Sequence, residues 1–164
     1  MLDWSLEQNK NPVMILMPGN EVSDRKTETD FSNINKFSLE KKGEKIAIIG
    51  LGDFFAKARE LAYFIEENLG FKPSLINPRF ASGLDYKILE DLKKDHNLII
   101  TLENGVLSGG FGQKIASFYA NSNIKVKSYG LEKVFYDRVD PEAILESLRM
   151  KKEMILEDIK DFIK

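Results

Sequence analysis

The chain has 164 residues, 43% of them hydrophobic and 30% charged, and carries a formal charge of −2. That composition suits a single globular domain with a real core, and the near-neutral balance argues against phosphate-backbone binding, which needs a concentrated basic face. The lack of cysteine excludes disulfides and thiolate chemistry, the lone His96 excludes a polyhistidine metal site, and no apolar run reaches the ~18 residues of a membrane span.

Taken in chain order, the start MLDWSLEQNK lacks the basic-then-apolar order of a signal peptide, so a cytoplasmic location is expected. PVMILM (12–17) reads as a short buried strand closed by Pro18-Gly19-Asn20. Residues 18–43 are mostly polar and read as a linker, with Phe31, Ile34, Phe37 and Leu39 available to pin it to a surface. KIAIIGLG (45–52) is a β-rich apolar run, and Asp53 can cap the helix that follows. Phe54, Ala58, Leu61, Ile65 and Leu69 then recur at helical spacing, and Gly70 stands where a helix usually stops. KPSLI (72–76) predicts a second strand, and Asp85 caps a helix with Ile88, Leu89 and Leu92 inward. NLIITL (97–102) is the clearest strand; a glycine-rich loop leads from it to a helix over 112–121. KVKSYG (125–130) alternates as a last strand, Asp140-Pro141-Glu142 is a helix start, and helical segments near 141–149 and 151–163 finish the chain. Strands alternating with helices predict an α/β fold: a mostly parallel, doubly wound open sheet of about five strands with flanking helices.

Three stretches could carry chemistry. In IIGLGDFF, Gly50 and Gly52 have the first spacing of a dinucleotide fingerprint, but the third glycine position is Phe55, and INPRF stands where the acidic ribose partner belongs. Gly105 and Gly110 have the P-loop spacing, yet Phe111 and Gly112 replace its Lys and Ser/Thr. The backbone of Gly109, Gly110 and Gly112 could still hold an anion at a helix start; the alternative is that these glycines permit a sharp turn and close packing. Glu103 and Asn104 end a strand at the edge where open α/β sheets place ligands. Arg79 fits an anion or an ion pair, and His96 fits the C-terminal end of a helix. Asp53 is followed by Phe54, so the Gly-Asp-Gly signature of a thiamine diphosphate metal site is missing.

The order of motifs carries a resemblance that no single motif does. PGN (18–20), the polar linker, GEKIAIIGLGDFFAKA (43–58), RF (79–80), LD (84–85), HNLIITLEN (96–104), GGFG (109–112) and YGLEKVF (129–135) together resemble the C-terminal part of the deoxyxylulose-phosphate synthase branch of the transketolase family. The resemblance implies that residues 1–17 are the end of a pyrimidine-binding domain, 18–43 a linker, and 44–164 a transketolase C-terminal-like domain. It implies a parent enzyme that condenses pyruvate with glyceraldehyde phosphate on the isoprenoid precursor route. That parent uses thiamine diphosphate and magnesium, held by an N-terminal and a pyrimidine-binding domain rather than by this chain, and works as a homodimer. Leu16 stands where the family carries an arginine associated with substrate phosphate, Ser82-Gly83 where Lys-Pro is common, and Glu132 where proline is common.

Two functional expectations follow. The first is a non-catalytic assembly domain that binds no cofactor or metal, with the glycine-loop helix, Phe135 and Tyr136 meeting another domain or subunit. The second is an independent module binding a small anion or nucleotide near Glu103, Asn104, Gly109, Gly110 and Gly112.

Overall fold

The computed structural model describes residues 2–17 and 33–162. The chain divides into two compact units, Met1–Ile34 and Asn35–Lys164. In the first, α1 (Leu2–Glu7) is followed by residues 12–17 without regular structure, with Met14, Leu16 and Met17 exposed. The strand expected at 12–17 does not form, because a strand needs a neighbour to take up its amides and no described residue of this unit supplies one. Pro18-Gly19-Asn20, Phe31 and the last apolar residue, Ile163, lie outside the described residues.

The second unit is built on a five-stranded sheet in the order β1-β3-β2-β4-β5. These strands are β1 (Ser38–Lys41), β2 (Lys45–Gly50), β3 (Ser74–Asn77), β4 (His96–Val106) and β5 (Lys125–Leu131). The last four run parallel, and β1 pairs antiparallel with β3. β1 lies in the stretch read as linker, so the compact unit starts at Asn35 rather than at 44. Ser38–Lys41 carries little apolar periodicity because it is an edge strand, with no residue fully buried. Its register with β3 slips at Glu40, between Leu39 and Lys41.

The two faces of the sheet explain the apolar runs. Successive strand residues point to opposite faces. In β2, Ile46 and Ile48 enter one core while Ala47 and Ile49 enter the other; in β4, Leu98 and Ile100 part from Ile99 in the same way. A parallel sheet buried on both sides therefore reads as continuous hydrophobic sequence. α2 (Phe54–Leu69), α5 (Pro141–Ser147) and α6 (Lys152–Ile159) cover the first face through Ala58, Leu61, Ile65, Leu145, Ile155 and Ile159. α3 (Tyr86–Leu92) and α4 (Phe111–Tyr119) cover the second through Leu89, Leu92, Phe111, Ile115 and Tyr119. Each such large side chain contributes roughly 1.5–3 kcal/mol on burial. The Tyr119 hydroxyl donates to the Leu89 carbonyl at 2.8 Å and ties α4 to α3; burial pushes that hydroxyl's pKa up.

Local signals act much as the sequence predicts at three helix ends. Gly70 closes α2 in the left-handed region at φ 72°. Asp85 caps α3 by accepting from the Ile88 amide, and its other oxygen accepts from Phe37 N–H at 3.1 Å. Asp140 caps α5, with Pro141 in the first turn. Asp53 differs: it precedes α2 with helical angles, φ −64° and ψ −26°, and makes no side-chain cap. Capping needs an extended residue at that place.

Two polar clusters bind the layers. Asp158 of α6 accepts from Arg149 Nε at 2.9 Å and from the Tyr129 hydroxyl at 3.1 Å, and pairs with Lys127 Nζ at 3.1 Å. Burial opposes its charge, but these donors hold its pKa below the usual carboxylate value. On the other side of the sheet plane, His96 is buried at the start of β4 and faces the C-terminal end of α3. Its Nδ1 lies 3.0 Å from the Leu92 carbonyl and its Nε2 lies 2.9 Å from Ser74 Oγ, which also accepts from Gly43 N–H at 2.9 Å. Nδ1 faces a carbonyl and therefore donates, while the Ser74 hydroxyl can either donate to Nε2 or accept from it.

Burial lowers the His96 pKa from its model-compound value of 6.5, against the Leu92 hydrogen bond that raises it. The unfolded chain thus binds more protons as pH falls through about 6.5, and folding stability falls with it. Urea midpoints measured from pH ~8 to pH ~5 are expected to drop below about pH 6.5. In a His96→Gln variant that part of the slope is lost.

Candidate functional site

The C-terminal edge of the parallel strands is the natural place for a site. β2 has β3 on one side and β4 on the other, so the chain reverses direction between β2 and β4, where open α/β sheets form a crevice. Gly52, Asp53, Glu103 and Asn104 stand at these strand ends. Asn104 Nδ2 donates to Asp53 Oδ2 at 3.1 Å and bridges the crevice. Asp53, unused as a cap, is thereby engaged across the sheet.

Glu103 behaves differently from a solvent-facing strand-end acid. It is 3% exposed, and its two carboxylate oxygens accept from the backbone amides of Phe111 at 2.9 Å and Gly112 at 2.8 Å. The N-terminus of α4 therefore does hold an anion, and that anion is the chain's own carboxylate. The backbone makes this possible. Leu102 pairs with Tyr129 and Val106 with Leu131, so four steps of β4 cover two of β5. Such a bulge re-aims the side chains around it. The strand runs on to Val106, beyond the end at 102 that apolarity alone indicates, because Asn104 and Gly105 continue it without contributing hydrophobic side chains.

The glycines fit this arrangement by what a side chain would strike. A Cβ on Gly110 would lie 2.8 Å from both Glu103 carboxylate oxygens and 2.5 Å from the Val106 carbonyl. On Gly112 it would lie 2.5 Å from Thr101 Oγ1 and 2.6 Å from Ser128 Oγ. Thr101 Oγ1 is buried without a hydrogen-bond partner among the described residues. Gly109 is needed for another reason, a left-handed φ of 79° with open space around it. Gly130 of β5 was not singled out by sequence reasoning, yet its Cβ would meet the Gly105 carbonyl at 2.9 Å and Glu103 Cγ at 3.1 Å. The YGL triplet offered the signal: a glycine inside an otherwise alternating strand marks a close approach.

After β5 the chain becomes exposed and apolar. Phe135 is 91% exposed, Val134 59% and Val139 46%. Tyr136 is half-buried, and its hydroxyl accepts from Glu132 N–H at 3.2 Å. Phe135 thus lies outside both cores. Arg79 places Nε and Nη2 on the Lys36 carbonyl at 2.9 and 2.7 Å, in a left-handed residue at φ 62°.

Among the described residues no three His, Asp or Glu side chains cluster closely enough to hold a metal ion. At the one Gly-Asp pair of the crevice the carboxylate faces Asn104. A cavity of about 170 Å³ between α2, α5 and α6 is lined by Leu61, Leu102, Leu145, Met150 and Ile155 together with three lysines and three glutamates. No described helix is long and apolar enough to cross a membrane.

Sheet order, edge strand and self-capped loop define a doubly wound α/β domain, and solved structures that share this fold include transketolases. A split-gene transketolase, solved as an inactive β4 tetramer, aligns with a TM-score of 0.72 at 21% identity, over 88% of this chain and 46% of that one. The transketolase of Campylobacter jejuni gives 0.55 at 22%, over 81% of this chain and 20% of that one. The family model of the transketolase C-terminal domain matches residues 35–155, and the chain belongs to that family. Among curated relatives, the 1-deoxy-D-xylulose-5-phosphate synthase of Lachnoclostridium phytofermentans is 30% identical over 169 residues, and that of Clostridium tetani 31% over 162. Each alignment covers 97% of this chain, which spans about a quarter (26%) of the relative's length.

The two kinds of glycine should respond differently to alanine. Gly112→Ala forces α4 off the sheet and is expected to cost about 1–3 kcal/mol by overpacking. Combining it with Ser128→Gly is expected to recover part of that loss. Gly109→Ala meets only the left-handed penalty, about 1–2 kcal/mol, and is indifferent to Ser128. Denaturant titration of the singles and doubles reads the difference.

Proposed function

We propose that this chain is the C-terminal, non-catalytic assembly domain of a thiamine-diphosphate-dependent transferase of the transketolase family, resembling 1-deoxy-D-xylulose-5-phosphate synthase. It acts with polypeptide carrying the N-terminal and pyrimidine-binding domains, in a cytoplasmic homodimeric enzyme. Residues 1–17 are the tail of the pyrimidine-binding domain and the stretch after them is the connection. In such an enzyme the cofactor and magnesium supply the chemistry, joining pyruvate to glyceraldehyde 3-phosphate with loss of carbon dioxide, and both are held by the other domains. Leu16 in place of the phosphate-associated arginine points to a different acceptor or to a phosphate held elsewhere, since leucine makes no charge-assisted hydrogen bond.

The observation that carries the reading is the match of residues 35–155 to the family's C-terminal domain, in a chain spanning a quarter of its relatives. The arrangement of this domain supports it. Of the glycine amides that a small-anion module would use, Gly112 already donates to Glu103, Gly110 to the Leu107 carbonyl and Gly109 to Gln113 Oε1. The exposed apolar side chains of Val134, Phe135 and Val139 suit contact with another polypeptide.

Titration calorimetry of the chain with thiamine diphosphate plus magnesium, with nucleotides and with sugar phosphates is expected to show no binding. Micromolar affinity for any nucleotide would reverse the reading in favour of the small-anion or nucleotide module. The polypeptide bearing the preceding domains should be captured by the chain. A Phe135→Ser substitution should weaken that capture about tenfold or more, as for a central aromatic anchor. The same substitution should leave the melting behaviour of the isolated chain within about 0.5 kcal/mol of wild type.

A further inference from the structure

We propose that Glu103 is a latch that couples the glycine loop to the apolar segment after β5, and so sets the conformation in which that segment is presented. Its purpose rests on the assembly reading, but the latch is a property of this chain alone.

The coupling is a chain of contacts. Gly110 precedes α4 and offers no side-chain cap, so the helix takes its cap from β4 through the Glu103 carboxylate. Importing the cap ties the start of a helix to the end of a strand, where a serine or aspartate at the cap would satisfy the helix alone. The same side chain faces β5: its Cγ stands 3.1 Å from where a Gly130 Cβ would be. One residue further, Leu107 N–H donates to the Leu131 carbonyl at 2.9 Å, and Gly110 N–H returns to the Leu107 carbonyl at 3.0 Å. Carboxylate, loop and β5 end thus close on one another. Beyond Leu131, the segment is held by local hydrogen bonds: Val134 N–H to the Glu132 carbonyl at 2.9 Å, and Glu132 N–H to the Tyr136 hydroxyl. A segment with exposed side chains and local hydrogen bonds sits at the low end of regional stability. Its entry point at Gly130–Leu131 therefore dominates its shape, and Glu103 packs against that point.

Hydrogen exchange by mass spectrometry on the full chain tests this, comparing wild type, Glu103→Gln and Glu103→Ala with and without sodium formate. Removing a buried charged acceptor should raise the opening of residues 105–113 about tenfold or more. Residues 130–136 should open in parallel, while α2 stays unchanged. Formate should restore protection in Glu103→Ala, by returning a carboxylate to the Phe111 and Gly112 amides, and should not in Glu103→Gln. Unchanged exchange in both variants overturns the proposal. So does loosening of 105–113 without 130–136, a failure of formate to restore Glu103→Ala, or a uniform rise across the domain in both variants. None of these readouts needs a partner, so a failed capture with Phe135→Ser would defeat the assembly reading and leave the latch standing.

Discussion

The structure depends on β4 being buried on both faces. Leu98 and Ile100 serve one core, Ile99 serves the other, and the ladders to β2 and β5 satisfy the backbone between them. Removing such a strand from water is favourable only if helices cover both sides and every amide is paired. That constraint explains why α3 and α4 cover one face while α2, α5 and α6 cover the other. It also explains why the polar residues at the end of β4 are tightly managed. Glu103 follows directly on an apolar run and stays buried, so its charge needs donors, and the first turn of α4 supplies them.

Much of this was legible in the residues. The helical stripe from Phe54 to Leu69, the left-handed stop at Gly70 and the caps at Asp85 and Asp140 are short-range signals, and short-range physics decides them. Where sequence reasoning missed, the deciding partner was distant. Ser38–Lys41 becomes a strand because β3 offers it an edge, and 12–17 does not because nothing described in its unit does. Asp53 looked like a cap by position, yet its backbone is helical and its carboxylate meets Asn104, 51 residues away. His96 fits a helix C-terminus by position and does face the Leu92 carbonyl at the end of α3, but its burial is completed by Ser74, 22 residues away.

The glycine loop shows the same division most sharply. Spacing ruled out both nucleotide fingerprints, because each lacks a residue its chemistry requires. Spacing left two uses open, an anion cradle or close packing, and the molecule combines them: the cradle is filled from within, and the glycines make room for what fills it. Nothing in a local window says that Glu103 meets the Phe111 amide eight residues further on. The order of weak motifs carried more than any one of them, since a whole fold constrains order and spacing together. Membership of the transketolase C-terminal family follows that pattern.

The edge strand β1 has a meaning for how such a domain travels between polypeptides. Without it, β3 would expose a straight row of unpaired amides to any other extended chain. The strand that covers β3 is four residues long, irregular at Glu40, and flanked by charge at Lys41 and Lys42. It is a poor template for further pairing. Crowded copies of this domain are thereby kept from zipping into fibrils along that side, and recognition is left to shape and side chains, where a mismatch can be rejected.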